Sequence, residues 1–187
     1  MKADQMQGMA LMLTILLLVV SLVLAPQAGG RSDTGALERG ILTDGDPAAW
    51  LARGDDLLNK GEHDESIHAY DQAIKLNQSY AEAWDHKGDA LRKLGSYNES
   101  LQAYDRAAKL NPRLAEPWYG RGAALADAGR YNESLESYDR AIQLDPSWAL
   151  PWYGKGQAFD ELGFHEDAVE SYDKAVALDL KAQSGKE

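Results

Sequence analysis

Cysteine is absent from the 187-residue chain, which excludes disulfides, thiolate metal sites and lipid attachment through a thiol. Cations are outnumbered: 19 Lys and Arg stand against 30 Asp and Glu, a formal charge of -11. Nonspecific nucleic-acid binding needs an electropositive face to neutralise phosphates, so nucleic acid is not an expected partner. Histidine is scarce as well. His63, His68, His86 and His165 are scattered or spaced five apart, which places no metal-ligating pair on one helix face. Asp44-Gly45-Asp46 has the opening of a calcium loop but lacks the later ligands and the closing glutamate. No nucleotide loop or nucleophile motif is present, and nothing in the pattern segregates one carboxylate into a pocket that would displace its pKa. The expectation is a protein without metal or cofactor, and not an enzyme.

A long apolar run occurs once. Met9 to Ala25 is uncharged over 17 residues and follows only Lys2, Asp4 and polar residues. No polar face alternates with the apolar one, so a core helix is a poor reading. A cleaved signal has an apolar region of about 7–15 residues, whereas a membrane span needs roughly 17–25. Val23-Leu24-Ala25 has the form of a processing site, but Pro26 follows at once and opposes cleavage. The expectation is an uncleaved signal anchor over residues 1–25, with secretion after cleavage as the alternative. Lys2 and the terminal amine face Arg31 and Arg39 across the run, close to a tie on positive-inside counting. Short amino-terminal tails stay inside more often, which puts the remainder on the extracytoplasmic side of the cell membrane. Residues 26–46, rich in Gly and Asp, read as a flexible linker with a reach on the order of 25 Å.

Beyond it a period dominates. Trp50, Trp84, Trp118 and Trp152 stand 34 residues apart, each followed four residues later by glycine (Gly54, Gly88, Gly122, Gly156). Such a period describes an array of one small unit. Aligned on the tryptophans, the units span 47–80, 81–114, 115–148 and 149–182, followed by a short polar tail, 183–187. Each unit divides into two amphipathic helices. Trp84, Gly88 and Leu91 share one face of the first helix of the second unit, and Gly95 ends it. Asn98 is placed to cap the second helix, whose inner stripe is Ser100, Leu101, Tyr104, Ala107 and Leu110. Pro112 and Pro146 separate units, while Pro117 and Pro151 suit the first turn of a helix. A serine or alanine column (Ser66, Ser100, Ser134, Ala168), a tyrosine column (Tyr70, Tyr104, Tyr138, Tyr172) and an alanine column (Ala73, Ala107, Ala141, Ala175) return in register.

This set of columns resembles the tetratricopeptide repeat (TPR) family over Pro47 to Ala182. The resemblance implies an all-α fold: a right-handed superhelix of antiparallel helix pairs, an α-solenoid, here preceded by one hydrophobic amino-terminal helix. Packing between helices and units is the expected role of the repeating residues. One departure stands out. Where the family commonly has leucine before the first glycine, the chain has Arg53, Lys87, Arg121 and Lys155, and an aspartate column (Asp71, Asp105, Asp139, Asp173) runs through the second helices. The expectation is a ladder in which aliphatic stems cover the tryptophans and the charged heads reach acidic groups.

The resemblance also implies that first helices line a concave groove. Its stripe reads Ala48, Leu51, Asp55, Leu58, then Glu82, Asp85, Asp89, Arg92, then Glu116, Tyr119, Ala123, Ala126, then Leu150, Tyr153, Gln157, Asp160, with His86 adjacent. The groove is acidic in its first half and more aromatic in its second. Positions that grip a chaperone's carboxylate tail in some relatives hold Leu51, Asp55, His86, Glu116 and Gly120, so that clamp is missing. The expected partner is a protein or extended peptide carrying Lys or Arg and an apolar anchor. At the far end, apolar surface around Val169, Tyr172, Val176 and Leu178 is expected to stay open and to support weak homo-oligomers. Of the three Asn-x-Ser sequences, Asn77-Gln78-Ser79 falls in a turn and is the candidate for glycosylation, conditional on export.

Overall fold

The computed structural model describes residues 45–184. The anchor expected over residues 1–25 and nearly all of the 26–46 linker lie outside the described residues. Among the described residues every regular element is an α-helix, and no helix is long and apolar enough to cross a membrane. The helices are α1 (Pro47–Asn59), α2 (His63–Leu76), α3 (Ala81–Lys93), α4 (Tyr97–Leu110), α5 (Glu116–Asp127), α6 (Tyr131–Leu144), α7 (Ala149–Glu161) and α8 (His165–Ser184). They form four pairs, and the second helix of each pair packs on the first helix of the next.

The turn inside each pair is made by one glycine with positive φ: Gly61 at 79°, Gly95 at 82°, Gly129 at 74° and Gly163 at 81°. An L side chain there would strain the left-handed backbone that reverses the chain. Asn98 does not cap α4, nor does Asn132 cap α6. Both helices begin one residue earlier, at Tyr97 and Tyr131, and no side chain bonds at either cap. The glycine turn already delivers the chain to the helix, and the Ser100 N–H donates to the Ser96 carbonyl at 2.9 Å. A side-chain cap is made by Asp46, whose carboxylate accepts from the Ala48 N–H at 2.9 Å in front of Pro47.

Tyr104 and Tyr138 of the repeating column are plugs between units. Tyr104 is buried, and a Cβ placed on Gly88 would come within 2.6 Å of its ring while one on Gly120 would come within 2.4 Å. Glycine in its own unit and in the next therefore makes the slot that holds the ring. Ser100 lies below it, donating from Oγ to the Gly88 carbonyl at 2.8 Å, so the small-residue column brings α4 against α3.

The ladder forms between units. Lys87 Nζ reaches Asp71 at 2.6 Å, Arg121 Nε reaches Asp105 at 3.1 Å, and Lys155 Nζ reaches Asp139 at 2.6 Å. Lys87 and Lys155 also lie 5.6 Å from the ring centres of Trp84 and Trp152, and Arg53 lies 5.3 Å from that of Trp50. Lys87, Arg121 and Lys155, which replace the family's leucine, thus tie their unit to its predecessor, and in Lys87 and Lys155 the ammonium also stands over the indole. α8 is longer than the other second helices, running 20 residues to Ser184 where α4 has 14. Gln183 and Ser184, at the start of the expected tail, are therefore helical.

Candidate partner-binding groove

First helices touch one another from unit to unit (α1 with α3, α3 with α5, α5 with α7), whereas second helices of the described units do not meet. The side on which neighbours are closer is the concave one, so α1, α3, α5 and α7 line the groove. Two polar links run along it. His86 Nδ1 donates to Asp55 Oδ1 at 2.7 Å, joining α3 to α1, and Arg92 donates to Asp127 at 2.8 Å, joining α3 to α5.

Several residues expected to face a partner also serve the fold. Asp55 accepts from the Tyr70 hydroxyl at 2.9 Å, and Asp89 accepts from the Tyr104 hydroxyl at 2.7 Å. Burial, followed by the hydrogen bond to Asp55, raises the Tyr70 pKa; burial and the Asp89 charge do the same for Tyr104. His86 stands edge-on to Tyr70 with ring centres 5.9 Å apart. Burial is the largest single influence on Arg92 and would lower its pKa, but the bond to Asp127 together with the charges of Tyr104, Asp127 and Asp89 outweighs it, and the pKa is raised. Leu51 packs toward a small core of Ala73, Ile74 and Ala83. Asp127 lies outside the expected stripe; its place opposite Arg92 depends on how α5 sits against α3, which single-helix periodicity does not encode.

Asp85 departs furthest from expectation. The stripe on α3 places it on an open face, yet it is 9 % exposed. Its pKa is raised from 3.8 to about 8, by burial first and then by the charges of Asp89, Glu116 and Glu82. One carboxylate is therefore strongly displaced, against the expectation from sequence that none is. Packing of α5 beside α3 supplies both the burial and Glu116, and neither is visible in a single repeat.

The second half of the groove is aromatic. Tyr119 is half-buried, its ring 4.9 Å from Trp148 and 6.0 Å from Tyr138. Tyr153 is 52 % exposed and lies 5.4 Å from Tyr172, whose hydroxyl donates to Asp160 at 2.9 Å. Gln157, one turn beyond Tyr153, is exposed. At the end of the array Val169 and Val176 are 58 % and 57 % exposed, while Tyr172 and Leu178 are half-buried. Ile67, Leu101 and Leu135, which match Val169 in the other units, are half-buried. Asn77 is exposed in the turn after α2, and its Oδ1 accepts from the Ser79 N–H at 3.0 Å.

The groove is an open channel and not a cavity. A depression of about 330 Å³ does exist elsewhere, on the ladder side, lined by Asp105, Trp118, Arg121, Glu136, Ser137 and Arg140. Arg121 there is already bonded to Asp105 and, at 2.6 Å, to Ser137. Among the described residues no group of three or more His, Asp or Glu is placed to hold a metal ion.

Comparison with known proteins agrees with this architecture. A family profile described as TPR repeat matches residues 88–129, and three described as tetratricopeptide repeat match residues 47–80, 115–147 and 150–181. No curated protein sequence matches the chain. Among solved structures, a crystal structure of MamA is 21% identical, with 82% of this chain and 88% of that one aligned and a TM-score of 0.69. A MamA RS-1 ArsTM double mutant is 23% identical over 76% of this chain and 80% of that one, with a TM-score of 0.65. MamA 41-end from Desulfovibrio magneticus RS-1 is 23% identical over 73% and 77%, also with a TM-score of 0.65. At such identities the likeness is one of fold. The four profile matches and the four helix pairs together show that the chain belongs to the tetratricopeptide repeat family.

Proposed function

We propose that this tetratricopeptide repeat scaffold binds an extended segment of a protein partner in its concave groove, tethered to the membrane by the Met9–Ala25 run with the repeats on the extracytoplasmic side. The observation that carries the reading is one column of the groove. Leu51, Asp85, Tyr119 and Tyr153 occupy the same place in successive units and change from aliphatic through acidic to aromatic along the channel. Acidic residues there attract a basic segment and speed encounter, while half-exposed tyrosines supply rigid apolar contact at low entropic cost. Tyr119→Ala combined with Tyr153→Ala is expected to abolish capture of the partner by the full chain while helicity is retained. Capture unchanged by the double substitution sinks the groove. Cell fractionation with protease accessibility tests the tether: the repeats should pellet with membranes and be cut by protease added to the outer face.

A second reading, self-association through the last unit, is favoured by the open Val169 and Val176. Stacking of α8 onto the α1 of another copy is opposed by Asp56. It stands exposed where Ala90, Ala124 and Ala158 are buried against the preceding unit, so a further unit on α1 would bury its carboxylate. Contact between two α8 faces avoids that cost and gives a closed dimer. Val169→Glu with Val176→Glu should remove any concentration-dependent rise in mass seen by sedimentation of the detergent-solubilised chain.

A further inference from the structure

Asp85 is expensive for the fold and has no counter-ion. The matching place in the other three units holds Leu51, Tyr119 and Tyr153, so packing at this point asks for an apolar side chain. The carboxylate nevertheless stands there, 9 % exposed. Each cation nearby is committed elsewhere: His86 to Asp55, Lys87 to Asp71 and Arg92 to Asp127. The charges that do act on Asp85 are all of its own sign, from Glu82 and Asp89 one turn to either side on α3 and from Glu116 across on α5. No side chain among the described residues hydrogen-bonds or ion-pairs with it, and its oxygens are not among the sealed orphan atoms, which are His63 Nδ1 and Arg92 Nε. It is a buried acid on a groove-lining helix, without a side-chain partner and not sealed from solvent.

We propose that the groove where α3 meets α5 receives the basic side chain of the bound segment, a lysine ammonium or arginine guanidinium held by Asp85 with Glu82, Asp89 and Glu116 around it. The proposal rests on the groove reading above and says where along the groove the segment is fixed. A metal ion is a poor alternative because the carboxylates do not converge as a ligand set. An incoming side-chain cation offsets three like charges, supplies the missing donor and restores the ionised form of Asp85.

The position of Asp85 also sets a spacing in the partner. Neighbouring first helices pack with axes about 8–10 Å apart, and an extended chain advances about 3.3 Å per residue. A segment whose basic residue sits on Asp85 in α3 therefore carries an apolar residue about three positions away, over Tyr119 and Trp148 in the next unit. A second apolar residue about six positions away would lie on Tyr153.

The test is selection of peptides from a random nine-residue library displayed on phage, against the full chain in detergent micelles. Wild type, Asp85→Asn, Asp85→Leu and Tyr119→Ala are compared, with the circular dichroism of each recorded. Wild type should enrich Lys or Arg about three positions from an aromatic or aliphatic residue, in one order. The two Asp85 variants should keep the apolar preference, lose the basic one and bind the best wild-type peptide about tenfold more weakly. Asp85→Leu reproduces the residue that the first unit uses, so it keeps the comparison available should the amide variant fail to fold. Basic enrichment that survives both Asp85 variants, or is absent from wild type while Tyr119→Ala still abolishes apolar enrichment, overturns the proposal and leaves the groove. Failure of wild type to enrich any peptide, or enrichment unchanged by all three substitutions, overturns the groove and the proposal together.

Discussion

Asp85 makes folding itself pH-dependent. A free aspartate titrates near 3.8 and the folded one near 8, so the native chain holds a proton that the unfolded chain has released between those values. Stability from this group is therefore greatest below pH 4 and falls as pH rises toward 8. Resolved carboxylate shifts elsewhere, at Glu133, Asp145, Asp160 and Glu170, are downward and act in the acid range, leaving the interval from 5 to 8 to Asp85 among them. Asp85→Asn should raise stability at pH 7 by about 1–3 kcal/mol and flatten that slope, as read by urea unfolding at several pH values. A slope that survives the substitution contradicts the assignment. The tyrosine slot gives a second residue-level expectation. A Cβ at Gly120 would lie 2.4 Å from the Tyr104 ring, so Gly120→Ala should cost about 1–3 kcal/mol through overpacking. The glycine slot and Asp85 were visible in the sequence, but differently. Gly88 is legible as a repeating packing residue because it returns in every unit, whereas the depth of Asp85 is not, because the helix that covers it lies 30 residues away.

Helices and the contacts between them were the most legible part of the chain. A strict 34-residue register carries glycine turns, tyrosine plugs and the basic-to-acidic ladder together, so seeing the columns in one unit reveals them in all. Prediction failed where geometry at an element's end decides. Asn98 looks like a cap by residue type, yet the positive-φ Gly95 turn starts α4 at Tyr97. The ladder pairs join half-exposed aspartates to better-covered cations, with side-chain exposures of 18% for Lys155 and 48% for Asp139. Solvent screening keeps such a pair modest. A double-mutant cycle with Lys155→Met and Asp139→Asn should return a coupling of about 0.2–1 kcal/mol, lower in high salt. A coupling indistinguishable from zero at low salt would remove the ladder as a tie between units.

For the whole molecule, the array presents its variable residues on the surface that the superhelix makes concave. The tryptophan, glycine and tyrosine columns repeat because they hold helices and units together, while the proposed function has the column through Leu51, Asp85, Tyr119 and Tyr153 vary because it faces what is bound. Placing a photo-crosslinking residue at Tyr153 in the groove, and separately at exposed Arg106 on the opposite second helix, tests this most directly. The full chain should yield a covalent adduct with a protein partner from position 153, lost when Tyr119→Ala is added, and none from position 106. Adducts from position 106 alone would place the partner on the convex side and contradict the account.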